Sequence, residues 1–259
     1  MDKDGTTESG RTERSVIVTG ATRGIGEATA LVLAQRGYSV LVNAHTSASE
    51  DRGEQIARRC RALGVDAFVH VADVGSSAQC DAMVDAAVAR FGHVDGLVNN
   101  AGMSVFGSML RMTDEQFDAT IRTNASGVFY MMRAVANRMR VRRYGSIVNV
   151  SSVGGLYGSP MSIGYGAAKG AVLAMTKTAA KELARSGIRV NAVVPGGTRN
   201  DRYEQFGLPP ERVAEQMKLI ALGRLAEPSE IASAIAFLVS DEASYVTGAF
   251  LEVSGGVMM

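Results

Sequence analysis

The chain has 259 residues, 46% of them apolar and 20% charged, which suits one large soluble core. With 27 basic and 26 acidic residues, the net charge of +1 gives no reason to expect nucleic acid or an anionic membrane as partner, and no apolar run is long enough to span a bilayer. Cys60 and Cys80 read as free thiols of a reducing, cytoplasmic protein, and the scattered His45, His70 and His93 lack metal-ligand spacing, so no metal is expected.

Residues 1–13 are polar, carry no apolar signal region, and are expected to be a disordered tail before a single domain over 14–259. The first predicted strand, Ser15–Thr19, runs into Thr19-Gly20-Ala21-Thr22-Arg23-Gly24-Ile25-Gly26 and a helix over Ile25–Gln35. Strand, glycine turn, helix is the context of a phosphate site: small residues admit a pyrophosphate, and the helix start offers N–H groups and positive dipole. The glycine spacing is Gly-x-x-x-Gly-x-Gly, and taken alone it also fits an ordinary tight turn.

Strand Ser39–Ala44, helix Glu50–Leu63, strand Asp66–Val71, helix Ser76–Phe91 and strand Gly96–Asn99 follow. Helix Thr113–Val141, strand Gly145–Ser151, helix Gly164–Ser186, strand Arg189–Val194, helix Pro228–Ser240 and strand Ala249–Val253 complete the chain. Such alternation predicts an α/β fold of the Rossmann-like, doubly wound kind, a parallel sheet with helices on both faces. One excursion, 196–223, sits where ligands bind such sheets and reads as a substrate lid or a plain surface loop.

Tyr165 and Lys169 stand four apart, on one face of a predicted helix, with Ser152 thirteen positions upstream. A neighbouring ammonium favours phenolate and brings a tyrosine towards use as an acid or base at neutral pH. Ser152 can donate a hydrogen bond to the same substrate oxygen, with Ser151 as its rival. Tyr157 has no lysine four residues on and is assigned to substrate lining at most.

These motifs together resemble the short-chain dehydrogenase/reductase family from about Ser15 to the C-terminus. Thr19 to Gly26 matches its cofactor turn, Asp73-Val74 its adenine-contacting pair, Asn99-Asn100-Ala101-Gly102 its Asn-Asn-Ala-Gly, and Pro195-Gly196 its Pro-Gly after the sixth strand. Asn124, Ser152, Tyr165 and Lys169 fall on its catalytic set. The resemblance implies seven strands in the order 3-2-1-4-5-6-7 and hydride transfer between a nicotinamide and a carbonyl carbon. It further implies that Lys169 binds the nicotinamide ribose, and that Asn124 holds a water leading to Lys169. In two places the chain departs from the family. Asn200 replaces the usual threonine after Pro195, with Thr198 nearby, and Ser254 stands where aspartate is common.

The second strand ends Val42-Asn43-Ala44-His45-Thr46-Ser47, with Ala44 at the position where an acid would hold the ribose of NAD. Arg23 suits a 2′-phosphate, Thr46 and Ser47 add hydroxyls, and His45 is either a phosphate contact or an exposed loop histidine. NADP(H) is therefore the expected cofactor, held by Gly20, Thr22, Arg23, Gly24, Ile25, Gly26, His45, Thr46, Ser47, Asp73, Val74, Asn100, Ala101, Gly102, Tyr165, Lys169, Pro195, Gly196 and Thr198. Within the family the chain most resembles 3-oxoacyl-[acyl-carrier-protein] reductases and polyketide ketoreductases. That implies a β-keto thioester substrate, with reduction of a free ketone and a non-catalytic cofactor-binding role as alternatives. Arg143 matches a carrier-meeting position, flanked by Arg138, Arg140 and Arg142 and less securely by Arg185; the cluster also fits a solvated helix end. A homotetramer is expected through the helices Thr113–Val141 and Gly164–Ser186, with Met131, Met132, Val135 and Met139 either at that interface or on the protomer's own sheet.

Overall fold

The computed structural model describes residues 14–199, 215 and 217–257. The expected tail and most of the expected lid, Asn200 included, lie outside the described residues.

Seven strands form one sheet in the order β3-β2-β1-β4-β5-β6-β7, with every neighbouring pair parallel. They are β1 (Arg14–Val18), β2 (Tyr38–Ala44), β3 (Ala67–Val71), β4 (Gly96–Asn99), β5 (Gly145–Val150), β6 (Ile188–Pro195) and β7 (Phe250–Val253). Runs such as Val16-Ile17-Val18 and Val40-Leu41-Val42 are wholly buried because helices cover both sheet faces, and β-branched side chains pack well there. Alternation sorts them. Val16, Val18, Val40 and Val42 face α1 (Gly24–Gln35), α2 (Glu50–Arg61) and the late helix Pro228–Val239. Ile17, Leu41, Leu97 and Ile147 meet α3 (Ser77–Phe91), α5 (Gly127–Arg142) and α7 (Ile163–Leu183) on the other side.

The expected long helix over Thr113–Val141 is not uniform. Thr113 caps α4 (Asp114–Ile121) by accepting from the Gln116 N–H, and Gln116 returns a bond to the Thr113 N–H. A π-helical turn over Arg122–Ser126 then leads into α5. Met131, Met132, Val135 and Met139 are buried against the protomer's own sheet, so they are core and not an interface. A short helix that sequence patterning missed, α6 (Val153–Tyr157), precedes α7, and the late helix Pro228–Val239 is α8.

The chain leaves β1 towards β2 but returns from β3 to β4, on β1's other side. The carboxyl ends of β1 and β4 are therefore the switch point where an open α/β sheet has its crevice. The amino ends carry polar staples instead. Asp95, 4% exposed, accepts from the Ser15 N–H (3.0 Å) and pairs with Arg142 (2.8 Å) and His93 (3.0 Å). Arg14 bonds the Tyr38 hydroxyl and the Asp241 carboxylate, while the Tyr144 hydroxyl donates to Asp241 at 2.8 Å. Burial and that carboxylate push the Tyr144 phenol up to about 12. Burial likewise pushes the Cys60 and Cys80 thiols up, to about 11 and about 12, removing both as nucleophiles at neutral pH.

Candidate active site

A cleft of about 460 Å³ opens at the switch point, and its walls come from the carboxyl ends of β1 to β6. The turn after β1 is held from two sides. Asn100 donates from Nδ2 to the carbonyls of Thr19 (2.9 Å) and Gly20 (3.0 Å), and the Thr19 hydroxyl accepts from the N–H groups of Asn100 and Ala101. Close approach explains the glycines. At Gly20, with φ of 59°, a Cβ would lie 2.8 Å from Ala101 Cα; at Gly26 it would lie 2.4 Å from the Gly20 carbonyl oxygen. Thr22, Arg23, Gly24 and Ile25 line the cleft at the start of α1, where unpaired N–H groups and the helix dipole favour an anion. Arg23 is exposed and makes no ion pair among the described residues.

Of the remaining nominated cofactor residues, His45, Val74, Asn100, Ala101, Gly102, Tyr165, Lys169, Pro195, Gly196 and Thr198 also line this cleft. Gly26 lies behind the turn, and Thr46 and Ser47 are exposed at the corner after β2. Asp73 lies outside the wall: its Oδ1 accepts from the Gly75 N–H at 2.8 Å and stands 3.8 Å from His45 Nδ1. Asn43, Met103 and Thr123 line the cleft although sequence patterning did not nominate them; Asn43 was hidden inside an apolar run.

The catalytic candidates converge from three elements. Ser152 follows β5 and caps α6, accepting from the Gly154 N–H at 3.1 Å, which leaves its own proton to donate into the cleft. Its rival is removed: the buried Ser151 hydroxyl donates to the Lys169 carbonyl at 2.8 Å. Helix α6 can lie directly on α7 because Gly155 has no side chain; a Cβ there would be 2.6 Å from the Lys169 carbonyl carbon. Tyr165 and Lys169 sit one turn apart on α7, with the Lys169 ammonium 5.6 Å from the centre of the Tyr165 ring. Lys169 is only 3% exposed, and its Nζ donates to the Val150 carbonyl at 2.7 Å, since a buried ammonium needs partners.

Asn124, fully buried in the π-turn, donates from Nδ2 to the carbonyls of Met103 (2.8 Å) and Thr120 (2.9 Å). Its Oδ1 is the one buried side-chain polar atom among the described residues with no hydrogen-bond partner. A Cβ at Gly102 would stand 2.7 Å from that oxygen and 3.7 Å from Lys169 Nζ, so the absence of a side chain at 102 keeps the space between them open. An unpaired buried carbonyl is costly, and such a group fits an incoming polar partner.

Two other expectations change. Tyr157 is not part of this cleft's wall; it borders a second hollow with Met109 and Met161 and donates its hydroxyl to Glu252 at 3.0 Å. The arginine cluster is largely committed. Arg138 pairs with Asp85, Arg142 with Asp95, and Arg143 donates to the Arg185 carbonyl at 2.7 Å. The cluster also precedes β5 while Ser152 follows it, which separates them by roughly 20 Å at ~3.3 Å per residue. Ser254 gains an account: its Cα closes on Gly196, where a Cβ would approach it to 2.8 Å, and its hydroxyl donates to Glu252 at 2.6 Å. Among the described residues no three His, Cys, Asp or Glu side chains are grouped to hold a metal ion, and no helix is long and apolar enough to cross a membrane.

A glycine turn at the switch point, facing a Ser-Tyr-Lys cluster at the same strand ends, defines an oxidoreductase site, and the chain belongs to the short-chain dehydrogenase/reductase family of nicotinamide-dependent enzymes acting on C=O and CH–OH groups. Residues 20–258 match the family described as enoyl-(acyl carrier protein) reductase. The chain is 40% identical over 246 residues to 3-oxoacyl-[acyl-carrier-protein] reductase FabG of Staphylococcus aureus (strain Mu50), covering 95% of this chain and 98% of that one. It is 41% identical over 244 residues to the FabG of Thermotoga maritima, covering 94% and 97%. Among solved structures, levodione reductase superposes with a TM-score of 0.89 at 34% identity, covering 95% of this chain and 97% of the other.

Proposed function

We propose that the protein is an NADPH-dependent ketoreductase whose substrate is a 3-oxoacyl thioester. The observation that carries the reading is the convergence of Ser152, Tyr165 and Lys169 on one cleft wall, opposite a phosphate-ready turn. When bound, the nicotinamide supplies a hydride to the carbonyl carbon. Ser152 donates a hydrogen bond to the carbonyl oxygen, and Tyr165 hands that oxygen a proton as charge develops. Lys169, held by the Val150 carbonyl, keeps a positive charge beside the phenol and favours its loss of that proton. Asn124 Oδ1, aimed at the same space, accepts from a water that returns protons towards Lys169.

The proposed preference for the 2′-phosphorylated cofactor rests on Arg23 and on the lack of an acid at the end of β2. Arg23→Ala is expected to raise KM for NADPH about tenfold or more while moving KM for NADH less than about twofold, as for loss of a charge-assisted contact. Equal changes would remove the assignment. The substrate test is steady-state turnover of acetoacetyl thioester, free β-keto ester and crotonyl thioester with NADPH. Turnover of the first supports the reading, and turnover of the enoyl compound alone would replace it.

A second reading, reduction of a free ketone, is favoured by the distance between the arginine cluster and the cleft and by the likeness to levodione reductase. Arg140, exposed and without an ion pair among the described residues, separates the two. If a carrier docks on this patch, Arg140→Glu should raise KM for carrier-bound substrate, most strongly at low salt, with the free ketone unaffected. Unchanged values for both favour the second reading.

Assembly into a homotetramer is part of the proposal. Its support shifts from the buried methionines to the exposed Phe117 and Phe129 and to the outer row Ala167, Ala171 and Ala174 of α7. A monomeric mass at micromolar concentration in light scattering would end it.

A further inference from the structure

We propose that Asn43 is a positioning residue for the cofactor, its side-chain amide locking the phosphate turn to the ends of β2 and β3. The inference rests on the nicotinamide-dinucleotide reading above. Asn43 is the next-to-last residue of β2 and only 1% exposed, yet it borders the cleft. Oδ1 accepts from the Gly20 N–H at 3.0 Å. Nδ2 donates to the carbonyls of Ala44 (2.9 Å) and Ala72 (3.0 Å), with His70 at 3.3 Å. The Asn43 main-chain carbonyl accepts from the Ala21 N–H at 3.0 Å. One residue thus ties Gly20 and Ala21 of the turn to β2 and, through Ala72, to the segment that carries Val74 into the cleft wall.

The chemistry requires an amide. A carboxamide accepts at one atom and donates twice from the next, so it can serve an N–H and several carbonyls together. A carboxylate in its place would face three carbonyl oxygens with no proton to give. An aliphatic side chain would leave the Gly20 N–H and those carbonyls buried without this partner. The turn has little slack, since Gly20 already lies against Ala101 and Asn100 holds the other side. Loosening Asn43 therefore moves the phosphate turn relative to the Ala72–Val74 wall and leaves Ser152, Tyr165 and Lys169, which stand at the start of α6 and on α7, in place.

The discriminating experiment measures NADPH and 2′,5′-ADP affinity by direct titration, with kcat at saturating NADPH, for wild type, Asn43→Leu and Asn43→Ser. Loss of the amide's hydrogen bonds predicts Kd for both ligands raised about tenfold in Asn43→Leu, with kcat within about threefold. Asn43→Ser, which keeps a hydroxyl, should lie between and serves alone if the leucine variant does not fold. A lowered melting temperature with both Kd values unchanged would make Asn43 merely structural and overturn the inference. A loss confined to kcat would overturn it equally. Wild-type protein that binds neither ligand would instead defeat the cofactor reading on which the inference stands.

Discussion

Replacing Tyr165 with phenylalanine is expected to lower turnover by about 10²–10⁴-fold while NADPH affinity stays within about twofold, the range general acid catalysis contributes. The change deletes one oxygen and leaves the ring over which Lys169 lies, so the packing of α7 and the ammonium's bond to the Val150 carbonyl survive. What disappears is the proton aimed at the substrate oxygen. Ser152 cannot substitute, because an aliphatic hydroxyl is a far weaker acid than a phenol and this one is fixed at the start of α6. Measuring kcat from nicotinamide absorbance and Kd by fluorescence titration separates the two quantities. Turnover above about one tenth of wild type would take the proton-donor role from Tyr165.

Gly26→Ala is expected to cost cofactor affinity more than any other one-methyl addition in the turn. Its new Cβ would lie 2.4 Å from the Gly20 carbonyl oxygen, 2.5 Å from Asn100 Nδ2 and 2.9 Å from Ala21 Cα, so main chain has to move. That oxygen and that amide are bonded to one another at 3.0 Å, and the methyl would wedge between them. Overpacking of this kind typically costs about 1–3 kcal/mol of stability, and here the displaced atoms are the phosphate turn itself. Gly24 is the control. It also needs glycine-like backbone, with φ of 55°, but a Cβ there meets nothing within 4 Å. Gly24→Ala should therefore lower stability by about 1–2 kcal/mol for the left-handed conformation, with a smaller loss of NADPH affinity. Wild-type melting temperature and affinity in Gly26→Ala would contradict the described turn.

The sheet and its order were legible because each strand is a compact apolar run between helical stretches, and the sequence resemblance supplied the order. What stayed hidden has physical causes. Asn43 sits in Val40-Leu41-Val42-Asn43-Ala44, where an inward amide looks like a lapse in an apolar run until its partners on β1 and β3 are known. Helix α6 is five residues with two glycines, too short for periodicity to register. The methionines of α5 could be counted from sequence, but not which of two surfaces they cover. Linear crowding made four arginines look like one patch, although Asp85 and Asp95, distant in sequence, neutralise two of them. Between Ser151 and Ser152 the family spacing to Tyr165 already favoured Ser152, and the bond from Ser151 to the Lys169 carbonyl adds a physical reason.

The π-turn at 122–126 also bears on insertions and deletions. A π-turn bonds residue i to i+5 where an α-helix bonds i to i+4, so five residues here cover about the arc that four would cover at ~100° each. Removing one of them would therefore restore ordinary winding and leave Met131, Val135 and Met139 on the sheet. A residue added or removed within α5 itself finds no such slack. It would swing the rest of that helix by about 100° and turn the flanking arginines towards the sheet. Chain length is therefore held more tightly on either side of 122–126 than within it.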